Sequence, residues 1–306
     1  MNRNFLNYTE WQSTADTLHM YLQMAGKVKL ECCDKRPEWA HIRLYITANG
    51  LTTGLVGGKD SSFEITFDLR DHCVIFRNTR GRSVVYPLFD GLSVAEFYRQ
   101  LTSALEFIGS PTTINVRPQE FYDPVDFNID EKHHSYDREA VTLFLDNLHF
   151  AYAAIKCFLA PFRGKVHYPA YYFGTMDLSS IVYSGEPVPF GTDSAISSHA
   201  FDERCCEFGF WPGDINAAKP SFYILPYPFI SDIKGNDKMI QPDKAVFTPE
   251  KNEFFLTLED AFSYDNPKDA VIKFLNSGFQ VIQKIKKWEN LDWITYPLQY
   301  DNTTGD

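Results

Sequence analysis

His19, Gln23 and Lys27 stand four residues apart, so on a helix they form one polar row beside an apolar stripe of Leu18, Tyr21 and Leu22. Such a row can wall a pocket, with His19 as acid, base or hydrogen-bond donor near neutral pH. It can equally be the solvated face of an amphipathic helix. His41 and His72 fall at strand ends, where side chains can point into a cleft. His19 or His41 set against Asp68 or Asp177 would supply the general acid and base of a hydrolase or isomerase. A metal would need three or more of His19, His41, His72, Asp68 and another carboxylate to converge. No HExxH or HxH spacing supports that, so no metal is expected.

Other chemistry-bearing stretches are weaker. Ser197-Ser198-His199 with Asp202 and Glu203 holds the residue types of nucleophilic hydrolysis, but no G-x-S-x-G elbow fixes them. That segment reads as a polar loop over a cleft, able to act as a lid. His133 and His134 are adjacent, diverge on either a strand or a helix, and read as part of a solvated linker. GLVGGKD at 54–60 has the wrong spacing for a phosphate loop and no Ser or Thr after Lys59, and no dinucleotide fingerprint appears elsewhere. No cofactor is expected.

Residues 205–214, CCEFGFWPGD, combine rings with turn formers. Gly209 suits close approach by another element, and Pro212-Gly213 suits a turn after a short strand. Adjacent Phe210 and Trp211 must point to opposite sides of a strand, so one ring packs the core and the other meets a neighbour or a pocket. Tyr223, Tyr227 and Phe229 can line the same space. This is either a ring-rich turn sealing a core or an aromatic wall for an apolar or planar ligand. The ligand reading takes Phe210, Trp211 and Tyr223 as wall, with His19, Gln23, Arg163 and Asp177 as polar contacts. Arg163 and Asp177 also flank the strand that starts at Gly164-Lys165, where an ion pair between them would fix the chain.

The elements that must position these residues are legible in outline. Thr14 can cap a helix to about Ala25, with Gly26 as its terminal glycine. Strands follow, with a hairpin signal at Asn49-Gly50, Phe63, Ile65 and Phe67 inward, and a second hairpin turning at Asn78 to Gly81. Ser93 and Glu96 form a capping box for a helix ending at Gly109. Residues 110–136, rich in Pro, Asp and Asn, read as a connecting segment. A helix from Asp137 carries an apolar face from Val141 to Leu159. Strands at AYYF, LSSIVY, FYILPY and EFFLTL come next, separated by loops at 184–204 and 231–244. Asn266-Pro267 starts a last helix, with Lys284, Lys286 and Lys287 at its negative end.

The spaced residues Trp11…Thr17-Leu18-His19…Gln23…Gly26-Lys27, Phe67-Asp68…His72, Asp177-Leu178 and Gly209-Phe210-Trp211-Pro212-Gly213 resemble a bacterial family known only as a domain of unknown function. The resemblance runs from Trp11 to the last helix. It implies a soluble bacterial protein and no particular reaction.

Composition bounds the rest. The chain has 306 residues and a formal charge of −11 without a long Lys or Arg run, which disfavours nucleic acid and anionic membranes as partners. The 26 Phe and 17 Tyr promise a ring-rich core. The six cysteines show no CxxC spacing, which fits reduced thiols in a cytoplasmic chain. The N-terminus lacks the apolar run of a secretory signal, and the longest apolar stretch is broken by Asp146, Asn147, His149 and Lys156.

The expected fold is α+β, with two related halves at 1–110 and 137–290 packed as one compact unit, a connector at 111–136 and a tail at 291–306. Each half is an antiparallel sheet with flanking helices. AGKVKL and RGKVHY, at matching places in the two halves, fit an internal duplication with a cleft between halves. The expected function is binding of a small apolar or planar molecule in that cleft, the alternative being a hydrolase or isomerase with a His–carboxylate pair. The sequence names no ligand, reaction or oligomeric state.

Overall fold

The structure, a computed structural model, describes residues 4–192, 194–289 and 295–296. The proposed tail at 291–306 lies outside the described residues except for Thr295 and Tyr296.

The first helix, α1 (Tyr8–Cys32), is longer than its sequence signals suggest. It starts after Asn7, whose N–H is accepted by Glu10 (2.8 Å), and it runs six residues past Gly26. Thr14 is no cap; its hydroxyl accepts the N–H of Asp137 (3.0 Å) and ties α1 to the start of a later helix. Gly26 lies inside α1 because a Cβ there would sit 1.9 Å from the Phe173 ring. Every residue from Thr14 to Lys29 is buried, so the row of His19, Gln23 and Lys27 is no solvated face.

The first sheet is a five-stranded antiparallel meander, β1 (Tyr45–Ile46), β2 (Gly50–Thr52), β3 (Phe63–Asp68), β4 (Cys73–Asn78) and β5 (Ser83–Pro87), in sequence order. Both expected hairpins form, Ile46 facing Leu51 and Arg77 facing Ser83. Asn78 secures the second by accepting the N–H groups of Arg80 and Arg82 through its side chain. Helix α2 (Val94–Phe107) starts where the Ser93 hydroxyl accepts the Glu96 N–H (3.2 Å).

The connecting segment packs instead of hanging free. Phe127 and Asp130 are fully buried against α2. His133 is buried too, its Nδ1 2.7 Å from Asp130, while His134 is exposed. The carboxylate that holds the local backbone also holds the ring, so His133 leaves the solvent.

The second half opens with α3 (Arg138–Leu159), capped by Asp137. Its sheet has six antiparallel strands: β6 (Val166–Tyr172), β7 (Asp177–Pro187), β8 (Glu203–Trp211), β9 (Ser221–Tyr227), β10 (Val246–Thr248) and β11 (Glu253–Thr257), in the order β10-β11-β9-β8-β7-β6. Within the expected 184–204 loop lies a short helix, α4 (Ala195–Ala200). After α5 (Leu258–Ala261), the last helix, α6 (Pro267–Lys286), begins at the expected Asn266 cap.

Leu178, Ser180 and Val182 of β7 pair with Phe210, Phe208 and Cys206 of β8. The apolar members of this face, with Phe222, Ile224 and Phe254, pack into the main core with α3 and α6. The opposite face of the same sheet carries Asp177, Ser179, Ile181, Cys205, Glu207, Gly209 and Tyr223, whose pairings follow from the register. The two sheets meet through reciprocal backbone hydrogen bonds between Leu44 and Tyr171 (2.9 and 2.8 Å). Each half is thus an antiparallel sheet with flanking helices. The Gly-Lys-Val triplets do not correspond, however, since Gly26-Lys27-Val28 is helix interior and Gly164-Lys165-Val166 leads into β6. Among the described residues no helix is long and apolar enough to cross a membrane.

Candidate functional site

Strand pleating puts three carboxyls on the face of the second sheet turned away from α3 and α6: Asp177 at the start of β7, Glu207 in β8 and Glu253 in β11. The Tyr223 hydroxyl from β9 reaches between two of them, 2.5 Å from Asp177 Oδ2 and 2.9 Å from Glu207 Oε1. It gets there because Gly209 has no side chain: a Cβ would sit 2.2 Å from the Tyr223 Cζ and 2.4 Å from its oxygen. Thr175 donates to Asp177 Oδ1, and Ser179 donates to Glu207 Oε1.

The phenol has one proton and two carboxyl oxygens beside it. It donates to Asp177 Oδ2 and to Glu207 Oε1, and both bonds favour the ionised carboxyls. Burial outweighs them. Burial, then the Asp177 charge, pushes Glu207 up to about 7, and burial raises Asp177 despite its two side-chain hydrogen bonds. Glu253, raised by burial and by Asp177 with Lys251 opposing, is also pushed to about 7. The cluster titrates as a unit and retains a proton where isolated carboxyls have lost theirs.

Asp177 and Glu207 line a cavity of about 240 Å³ at the junction of the two halves. Its walls are chiefly apolar: Ile42 and Trp39 from the first half, Tyr172, Phe173, Ile181 and Phe201 from the second. Ile196, Ala200 and Phe201, in or just after α4, cover it, and the Trp39 indole N–H donates to the Ile196 carbonyl (3.0 Å), holding that cover to the first half. Two lining residues carry polar atoms that are buried without a hydrogen-bond partner among the described residues, Glu38 Oε2 and the Tyr172 hydroxyl. Glu38 is only 4% exposed and has a left-handed backbone (φ 48°). Lys165 grips its other oxygen (2.5 Å), and His167 Nε2 lies 3.6 Å from Oε2, an imidazole kept neutral by burial and by Arg43, its pKa lowered to about 3.

His19 and Gln23 act one step behind this cavity. His19 Nε2 lies 2.7 Å from the Phe173 carbonyl, and burial lowers the ring to about 4, so it is neutral at physiological pH. Gln23 donates to the Gln119 carbonyl (2.8 Å) and accepts its N–H (2.9 Å). With Gly26 seating the Phe173 ring, the motif on α1 holds the two segments, 119–120 and 173–175, that form one rim. Trp211 and His19 together line a neighbouring hollow that shares Glu120, Gly174 and Thr175 with the first.

The remaining candidates lie elsewhere. Phe210 is in the core, 5.2 Å from Phe222. Arg163 is exposed and donates to the Tyr296 carbonyl (3.1 Å); it forms no ion pair with Asp177, which is buried in its own hydrogen-bond network. Asp68 accepts from Asn49 and from the N–H groups of Arg70 and Asp71, stabilising the β3–β4 turn. His41 accepts the Arg36 N–H (3.2 Å), and His72 meets the Tyr136 hydroxyl (3.2 Å). No described hydrogen bond or ion pair joins His19 or His41 to Asp68 or Asp177. Among the described residues no three His, Cys, Asp or Glu side chains gather as a metal site would require.

Glu38 and Glu207 are absent from the candidates drawn from sequence. The signal for Glu207 was in reach: in C-C-E-F-G-F-W, alternation puts Glu207 on the face of Gly209 and against that of Phe208 and Phe210. Nothing local in KRPEWAH marks Glu38.

The fold and site define an α+β protein with a ring-walled, carboxyl-floored cavity on the face of its larger sheet turned away from α3 and α6. The chain belongs to the family of unknown function DUF5996, whose profile matches residues 4–293. Neither a search of curated proteins nor one of solved structures finds a match.

Proposed function

We propose that this protein binds a small molecule with an apolar, planar body in the cavity between its halves. The observation that carries this reading is the pairing of ring-walled space with Glu38 Oε2 and the Tyr172 hydroxyl, buried polar atoms of lining residues that have no partner among the described residues. Such atoms cost about 1–3 kcal/mol each when unmet, and a bound ligand offsets that cost. The volume, about 240 Å³, exceeds the roughly 150 Å³ in which a benzene-sized guest fits. The six free thiols fit a reducing, cytoplasmic setting.

The test is a thermal-shift screen of planar apolar compounds on wild type and on Ala200→Trp, which fills the cavity from its half-exposed cover. Compounds that stabilise wild type and leave the variant unmoved support the reading. If no compound distinguishes the two folded proteins, the reading fails.

A second reading, catalysis, is favoured by one specific feature, the proton shared among Asp177, Tyr223 and Glu207. One carboxyl neutral and one ionised near neutral pH is the arrangement of a general acid with a general base. The acid–base pair of an isomerase or hydrolase is then carboxyl–carboxyl, with His19 serving to position the rim.

A further inference from the structure

We propose that the cavity selects a small organic cation, a primary or secondary ammonium on an apolar planar body, with its N–H groups directed to Glu38 and the Asp177–Glu207 pair; this rests on the ligand-site reading above. Three observations converge on that class. The first is an unmet acceptor. Glu38, a residue of the cavity lining, is nine-tenths buried, Lys165 occupies one of its oxygens, and the other takes no hydrogen bond among the described residues. An oxygen of an ionised carboxylate can only accept, so the group that meets it must donate.

The second is the sign of the lining. Glu38, Glu120, Asp177 and Glu207 all line the cavity, and among the described residues no Lys, Arg or His does. An anion would meet four carboxyls and no described cationic lining residue, whereas a cation gains from each that ionises. The third is the wall. Trp39, Tyr172, Phe173 and Phe201 present rings to the same space, and aromatic faces attract ammonium groups while hosting an apolar body. The formal charge of −11 adds a mean field that draws cations toward the protein.

The experiment uses three probes with one frame and three charges: 2-phenylethylamine, 2-phenylethanol and phenylacetate. Each is titrated calorimetrically into the full chain, into Glu38→Gln, into Asp177→Asn and into Ala200→Trp. The expected result is binding of the amine at least about tenfold tighter than the alcohol, the ratio one charge-assisted hydrogen bond supplies. Phenylacetate should bind weakest. The preference for amine should shrink in Glu38→Gln and Asp177→Asn, and Ala200→Trp should bind none of the three. Alcohol or phenylacetate binding wild type as tightly as the amine overturns the inference and leaves the cavity reading standing. So does failure of all three while some neutral compound still stabilises wild type and not Ala200→Trp. If nothing tested separates wild type from Ala200→Trp, both readings fall together.

Discussion

Glu207 holds its proton to about pH 7 because burial and the Asp177 charge both oppose its ionisation. In the unfolded chain a glutamate releases its proton near pH 4.3. The folded protein therefore binds more protons than the unfolded one between those values, and stability must fall as pH rises through that window. The contribution is fully present below about pH 4.3 and is lost above about pH 7. Glu207→Gln is permanently neutral and keeps its hydrogen-bonding shape, so it should melt above wild type at pH 8. The two proteins should converge near pH 4.5. A gap of at least about 2 °C at pH 8 is expected, roughly what 1 kcal/mol gives in a large domain. Glu253, raised for similar reasons, should leave part of the pH slope in the variant. Melting curves that keep a constant offset across pH would refute the assignment. Little of this residue-scale chemistry was legible in the sequence. Asp177 and Tyr223 were candidates for a pocket, but their meeting with Glu207 depends on the register of three strands. His19 looked like the titrating group because its type suggests it, and burial removed that role by favouring the neutral ring.

Elements were more legible, and the errors among them share a cause. α2, α3 and α6 announce themselves through caps and apolar stripes, and the hairpins through their turn residues. Gly26 reads as a helix stop because glycine weakens a helix by about 1 kcal/mol relative to alanine. Its reason for being in α1 is a contact 147 positions later, with Phe173, that no local rule contains. Gly209 is the parallel case in β8, where the absent side chain admits Tyr223. These glycines yield opposed expectations. Propensity alone predicts that Gly26→Ala and Gly209→Ala stabilise the protein. The structure predicts the reverse, since each Cβ would lie within 2.4 Å of a ring atom, an overlap that costs about 1–3 kcal/mol. Differential scanning fluorimetry should show both variants melting below wild type. Gly209→Ala should also steepen the pH dependence described for Glu207, because the Tyr223 hydrogen bond that holds this carboxyl down is lost when the ring is displaced. A rise in melting temperature for either variant would contradict the packing given for it.

For the whole molecule, the two halves are separate in topology and share one core. Two meanders, each with its helices, follow one another along the chain, as the order of sequence signals suggests. Yet one hydrophobic cluster runs from Phe5 to Trp288 and draws on both. Helix α1 touches both α2 and α3, His19 and Gln23 hold segments outside the first half, and Leu44 is paired to Tyr171. Pattern within a chain reports which face of an element is apolar; it does not report which other element covers that face. That is why the sequence divides cleanly while the core does not. A shared core has a thermodynamic consequence. If either half lost its structure alone, α1 would expose apolar surface buried against both, so partial unfolding carries most of the cost of complete unfolding without the matching gain in chain entropy. Calorimetry should therefore show one transition, with van't Hoff and calorimetric enthalpies equal within error. Far-ultraviolet circular dichroism and tryptophan fluorescence should report the same midpoint, although Trp11 and Trp39 lie in the first half and Trp211 and Trp288 in the second. Two resolved transitions, or midpoints that differ between those probes, would mean that the halves are energetically separate and that the cavity at their junction opens without unfolding either.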